Sequence, residues 1–328
     1  MLAQHKRLVF LSTALLSLAI SSLSSVLPEA AEVEGIPVDG DGNGLRLTWA
    51  DNILTIRGAR LPGGEVKIWY LEAYCRPGST DRDWGQTVIP HKTELLEATL
   101  DEQLIQLRCK LADGVTVDHE IRSGSDEVDF RLVAHNPTDK ESQAHWAQPC
   151  IRVDKFTGVP SVRASEDYLT KSFIFVDGRL SRMPTQPWAT KARYTPGQVW
   201  CPKHVDRNDV NPRPLSSLVP SNGLIGCFSA DEKMILATAW EPYQELFQGV
   251  IVCIHSDVRL GGLKPGEIKR ARGKIYIVDA DVPALVRRYE EGFPEHVRWK
   301  PGGDRSLHQI STRASVAFPF SGHSNLQT

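Results

Sequence analysis

A large all-β antiparallel sandwich with one short C-terminal helix is the fold class this sequence predicts, and three observations carry that expectation. Segment after segment alternates polar and apolar residues at period two, or concentrates β-branched and aromatic side chains. Gly, Pro, Asn and Asp clusters punctuate these segments with turn chemistry. Only one stretch has a capped helical pattern, so a parallel sheet with crossover helices is excluded.

Taken in order, strands are expected at LRLTW (45–49), ILTIRG (53–58), EVKIWYLEAY (65–74), LIQLRCKL (104–111), VTVDHEI (115–121) and EVDFRLVAH (127–135). Asp113-Gly114 between two alternating runs is a strong hairpin signal, and FIFV-DG-RLSR (173–182) repeats the device. Residues 183–222 hold seven prolines and almost no periodicity, which predicts a long loop packed by Trp188, Tyr194 and Trp200. Strands resume at LIGCFS (224–229), MILATAW (234–240), GVIVCIHS (249–256) and IKRARGKIYIV (268–278). A helix then follows, with Asp281 as N-cap, Pro283 in the first turn, an apolar face of Leu285, Val286 and Tyr289, and Gly292 at its end.

The N-terminus departs from this pattern. His5-Lys6-Arg7 precedes the apolar run LVFLSTALLSLAI, with small residues beyond it, which is the layout of a secretory signal peptide. The run is too short and too diluted by serine for a stable membrane span. The expected organisation is a signal peptide over 1–31, one β-sandwich domain over 32–299 and a polar, flexible tail over 300–328, with the mature chain secreted or periplasmic.

Composition narrows the function classes. Lys and Arg number 38 against 40 Asp and Glu, so no overall field recruits nucleic acid. Nucleotide loops, the HExxH zinc motif and the GxSxG nucleophile turn are all absent. Six cysteines, Cys75, Cys109, Cys150, Cys201, Cys227 and Cys253, stand at wide spacings with no CxxC pair. An oxidising compartment permits disulfides without specifying which, and buried free thiols suit the pattern equally. No zinc knuckle is indicated, and no metal or other cofactor is expected.

Polar groups that can serve a small ligand concentrate in a few segments. QAHWAQPCIRV (143–153) alternates like a strand, with His145 on one face and Trp146 and Gln148 on the other, until Pro149 bars a continuous ladder. Arg152 ends the same run. YCRPGSTDRDWGQTVIPHKTE (74–94) reads as a polar rim loop offering Arg76, Arg82, Trp84 and His91. AWEPYQELFQ (239–248) offers Trp240, Glu241 and Glu245, an aromatic ring for sugar C–H faces beside carboxylates for hydroxyls. CIHSD (253–257) sets His255 and Asp257 on one strand face, as a metal pair with His145 or as an imidazole oriented by a carboxylate.

Two of these patches carry a resemblance. VDFRLVAHNPTDKESQAHWAQP (128–149) resembles the middle of galactose mutarotase-like proteins, where a strand and an asparagine turn lead to a histidine. LKPGEIKRARGKIYIV (263–278) resembles the late PGE turn and closing strand of that fold. WAQPC and CIHSD are also similar to segments of secreted bacterial proteins. The resemblance implies a β-supersandwich, a catalytic histidine at His145, and a carboxylate base on a late strand just before the PGE turn. This chain departs there, because the strand reads VIVCIHSD (250–257) with His255 in that place, and Glu241 and Glu245 lie earlier.

The expected function is therefore carbohydrate binding at a concave sheet face, as an enzyme of lyase or epimerase type or as a non-catalytic glycan-binding or envelope structural protein. His145, His255 and Glu245 are the candidate catalytic residues. Arg76, Arg82, Trp84, His91, Trp146, Gln148, Arg152, Trp240 and Glu241 are the candidate sugar contacts.

Overall fold

A computed structural model of the chain describes residues 44–78, 82–161, 167–185, 198–210, 215–249 and 251–297. The leader read over 1–31, the tail over 300–328, and Trp188 and Tyr194 lie outside the described residues.

The strands are β1 (Arg46–Ala50), β2 (Ile53–Arg57), β3 (Glu65–Cys75), β4 (Val88–Ile89), β5 (His91–Ala98), β6 (Leu104–Leu111), β7 (Thr116–Ser123), β8 (Glu127–His135) and β9 (Trp146–Arg152). They continue as β10 (Ser172–Val176), β11 (Arg179–Arg182), β12 (Val199–Trp200), β13 (Ile225–Phe228), β14 (Met234–Glu241), β15 (Tyr243–Gly249), β16 (Cys253–Arg259) and β17 (Ile268–Asp279). Helices α1 (Trp84–Thr87) and α2 (Asp154–Thr157) are single turns, and α3 (Val282–Gly292) is longer.

Two antiparallel sheets result. The first runs β1-β2-β3-β9-β16-β15-β12, with β4 attached to β3, and the second runs β11-β10-β13-β14-β17-β8-β7-β6-β5. Period-two alternation delivers Ile68, Tyr70 and Ile254 from the first and Leu107, Val117, Phe130 and Leu132 from the second into one shared core. Helix α3 covers the far side of the second sheet, where Leu285, Tyr289 and Phe293 pack on Phe173, Phe175, Ile235 and Tyr276. Its start follows from capping chemistry, the Asp281 carboxylate accepting from the Ala284 amide at 2.9 Å. Arg288 fastens it to the sheet through Asp126, at 2.7 and 2.9 Å, and Glu127. Among the described residues no helix is long and apolar enough to cross a membrane.

Pro149 acts on the ladder as its missing N–H requires. On one side of β9 the pairing stops between Trp69–Cys150 and Ala73–Gln148, with a register shift in β3. On the other it stops between Ile254–Ile151 and Val258–Ala147. β9 is nevertheless an interior strand, flanked by β3 and β16.

Three expectations need correction. In the rim loop read over 74–94, the described residues 82–94 carry regular structure: β4 pairs with the end of β3 at Cys75, with α1 before it, and His91 opens β5 of the second sheet. AWEPYQELFQ contains the end of β14 and all of β15 but its last residue, a strand whose Gln244, Glu245 and Gln248 are buried although polar. The strand over QAHWAQPC starts only at Trp146. Amides of Leu260 and Gly261 converge on the His145 carbonyl, both at 2.7 Å, and turn the chain there.

Candidate functional site

The first sheet has one face in the core and one face away from it. On β9 the outward set is Trp146, Gln148, Cys150 and Arg152, and on β16 it is Cys253, His255, Asp257 and Arg259. The ladder between β15 and β16 sets Glu245 across from Asp257, Phe247 across from His255 and Gly249 across from Cys253. Glu72 joins from β3, its carboxylate accepting from Gln148 Nε2 at 2.9 Å. Val199, Cys201, Val205 and Val210 form an apolar cover on Phe247. Solvent reaches this face at Glu72, His145 and Arg152, which are only half-buried.

At one end sits His145. Its Nδ1 lies 3.5 Å from Asp209 Oδ2, and the Arg259 guanidinium lies 3.7 Å from the same oxygen. Gln244 accepts from Arg259 and donates to the Asp209 carbonyl at 2.5 Å, and the Gly78 amide donates to the Asp209 carboxylate at 3.0 Å. Asp209 thus stands between an imidazole and a guanidinium, and the His145 side chain keeps a quarter of its surface exposed.

At the other end His255 stacks on Phe247, with centroids 4.1 Å apart and planes 7° from parallel. Its Nδ1 stands 3.7 Å from Asp257 Oδ1, an ion-pair separation, and its Nε2 stands 3.3 Å from the Cys253 sulfur. Burial works against the imidazolium, and Cys150 and Asp257 outweigh it and raise the His255 pKa. Cys253 and burial hold the Cys150 thiol well above its ordinary range. Burial, with Glu72 adding like charge, raises Asp257 against the pull of His255. Against the cost of burial, Cys150, Cys253 and Glu72 favour the charged guanidinium of Arg152.

Cys75 links the two ends. Its thiol is raised by burial first, and then by the negative charge of Asp257, Glu245, Glu72 and Asp209.

The hydrogen-bond inventory of this face is incomplete in both senses. Thirteen buried side-chain nitrogen or oxygen atoms have no hydrogen-bond partner among the described residues, and seven belong here. They are His145 Nδ1, Trp146 Nε1, Gln148 Oε1, Arg152 Nε, His255 Nδ1 and both Asp257 carboxylate oxygens. Buried polar groups are as a rule satisfied, so these atoms call for further partners such as water or a ligand.

Of the residues singled out in the sequence, His145, His255, Glu245, Trp146, Gln148 and Arg152 meet on this face. Trp146 offers an N–H rather than an open ring, because its indole is fully buried with Ala73 and Cys75 against Trp84 and Val88. Trp84 therefore supports the site from behind. Arg76 is used up in holding that corner, donating to the Val88 carbonyl at 2.6 Å and to Gln86 at 3.3 Å. Arg82 extends toward Gly78, beside the loop that reaches Asp209.

Three candidates lie elsewhere. Trp240 is in the core between the sheets, 5.4 Å from Phe130, with its ring over Gly273. His91 packs edge-on against Tyr74, and burial lowers its pKa. Glu241 binds His296, which also meets the Tyr289 hydroxyl. His296 borders an open cleft of about 600 Å³ lined by Val176, Lys203, Ser221, Val286 and Glu290.

Three residues of the face, Glu72, Asp209 and Arg259, are missing from the sequence reading, and only the first two escape local pattern. Glu72 follows a register shift that alternation does not reveal, Asp209 lies in the proline-rich segment, and Arg259 continues the period of His255 and Asp257 and was legible from it.

No family model and no curated protein matches the chain. Among solved structures it is similar to a galactose mutarotase-like protein from Lactobacillus casei ATCC 334, at 10% identity and a TM-score of 0.37, over 71% of this chain and 100% of that one. It is similar to another from Clostridium acetobutylicum, at 11% identity and a TM-score of 0.35, over 72% of this chain and 98% of that one. These neighbours are of the family that segments 128–149 and 263–278 resemble.

Proposed function

We propose that the outward face of the first sheet binds a carbohydrate, as the sequence led us to expect, with Trp146, Gln148, Arg152 and Asp257 as its polar contacts. The observation that carries the reading is the mixture of buried donors and acceptors left without partners on that one face. An anion answers only donors and a cation only acceptors. A hydroxyl both gives and takes, and a sugar ring presents several at fixed spacing.

The rim adds selectivity. The half-buried Arg152 favours a sugar bearing a carboxylate or sulfate, while the half-buried Glu72 takes hydroxyls. Export through the leader read over residues 1–31 would bring the chain to extracellular or periplasmic glycans, and N-terminal sequencing of the mature protein tests that step.

A glycan array decides the binding reading. Saturable binding that is weakened by Gln148→Leu and Trp146→Phe, in variants that melt like the parent, supports it; an array without signal rejects it. Loss of one neutral hydrogen bond costs about 0.5–1.5 kcal/mol, a several-fold change in affinity.

A catalytic form of the same reading is favoured by the pairing of His145 with Asp209 on the face that also holds Glu245 and Asp257. An imidazole beside a carboxylate is suited to proton transfer, and Glu245 and Asp257, which face each other on β15 and β16, can take the opposite role. Accelerated anomer exchange or new ultraviolet-absorbing unsaturated ends, abolished by His145→Ala, is the expected signature. Binding without turnover leaves the protein a glycan-binding module.

A further inference from the structure

We propose that Cys150, Cys253 and His255 form a zinc site, with two thiolates and the His255 Nε2 as ligands and Asp257 behind the imidazole. This site lies on the same sheet face as the proposed sugar contacts and shares Asp257 with them, but its metal readout needs no sugar.

The ligand atoms converge. The two sulfurs and the imidazole nitrogen all lie within 4.8 Å of one another, and all three residues are buried. Cys253 Sγ to His255 Nε2 is 3.3 Å. Zinc at its usual bond lengths, about 2.3 Å to sulfur and 2.0–2.1 Å to nitrogen, separates tetrahedral S and N ligands by about 3.6 Å. A shift of a few tenths of an ångström therefore admits the ion.

The surroundings are shaped for it in four ways. Gly249 faces Cys253 across the ladder, and a Cβ there would stand 2.2 Å from the sulfur and 2.9 Å from His255 Nε2. A side chain at that position would occupy the ligands' space. Phe247 stacks on the imidazole and fixes its plane. The Tyr168 hydroxyl donates to the Gly249 carbonyl at 2.6 Å and approaches that of Cys253 at 3.2 Å, tying the two strand ends together. Asp257 Oδ1, 3.7 Å from His255 Nδ1, stands where a carboxylate orients a metal-bound imidazole through its free N–H.

Charge and softness agree. Two thiolates and an imidazole select a soft or borderline ion such as zinc over magnesium or calcium. Zn²⁺ binding displaces the two thiol protons, so the ion and its thiolates are together neutral. Three protein ligands leave one tetrahedral position for a fourth donor.

The test uses the full chain, reduced, stripped of metal and titrated with Co²⁺ and then Zn²⁺. One equivalent of Co²⁺ with thiolate charge-transfer absorption, displaced by Zn²⁺ with proton release, is expected. Cys253→Ser abolishes the absorption, Cys227→Ser, a buried thiol elsewhere, retains it, and Asp257→Asn weakens Zn²⁺ binding about 10–100-fold. Absence of thiolate–cobalt absorption in the reduced parent overturns the proposal whatever the variants do. So does a Cys150–Cys253 disulfide mapped in the protein as isolated, or stoichiometric zinc retained by the Cys150→Ser, Cys253→Ser double variant.

Discussion

The imidazole of His119 is held between two phenols, its Nδ1 2.9 Å from the Tyr70 hydroxyl and its Nε2 3.0 Å from the Tyr74 hydroxyl, with all three residues buried in the core. In the neutral ring one hydroxyl donates to the imidazole and the other accepts from it, so both nitrogens are satisfied without a charge. Burial lowers the His119 pKa from 6.5 to about 3. The unfolded chain therefore takes up a proton below pH 6.5 that the folded chain refuses until near pH 3. This residue costs nothing above that window, and its penalty grows as pH falls through it, reaching about 2 kcal/mol at pH 5. Urea unfolding at pH 7 and pH 5 should show the decline, and His119→Gln should flatten it by about that amount.

Gly249 tests the crowding around Cys253 directly. Gly249→Ala should destabilise the protein by about 1–3 kcal/mol, the usual range for overpacking. Gly85→Ala is the control, since nothing lies within 4 Å of a Cβ built there. Equal urea midpoints for the two variants would contradict the packing described.

Trp240 tests core against site. Trp240→Ala should cost about 3–5 kcal/mol and lower the urea midpoint sharply, because the ring fills the space between Phe130 and Gly273. Trp240→Phe should recover part of the stability, and at a temperature where it is folded its sugar affinity should match the parent's. A selective loss of affinity with unchanged stability would return Trp240 to the ligand site.

Arg288 carries the attachment of α3. Arg288→Leu removes bonds to Asp126 and Glu127 from a partly buried setting, and leaves Asp126 without its guanidinium while Glu127 keeps Lys274. A loss of about 1–3 kcal/mol is expected, with faster amide exchange in α3 than in β8.

Much of this architecture is written locally. Asp281, Pro283 and Gly292 bound α3 at the expected residues, and Asp113-Gly114 turns β6 into β7. β5 was hidden because KTELLEA alternates poorly, with Leu95 and Leu96 both largely exposed at the sheet edge. β15 was hidden because its buried residues include Gln244, Glu245 and Gln248, whose burial depends on neighbours from other strands. The site follows the same division. His255 and Asp257 share a face by period two, legible within five residues. The meeting of Cys150 with Cys253 depends on β9 lying beside β16, a long-range pairing that no local spacing announces.

The most direct measurement is a crystal structure with a bound oligosaccharide taken from the array. Sugar hydroxyls should lie about 2.7–3.2 Å from Trp146 Nε1, Gln148 Oε1 and an Asp257 oxygen. A sugar seated instead in the cleft between Val176, Lys203 and Glu290, with those atoms untouched, would contradict the assignment.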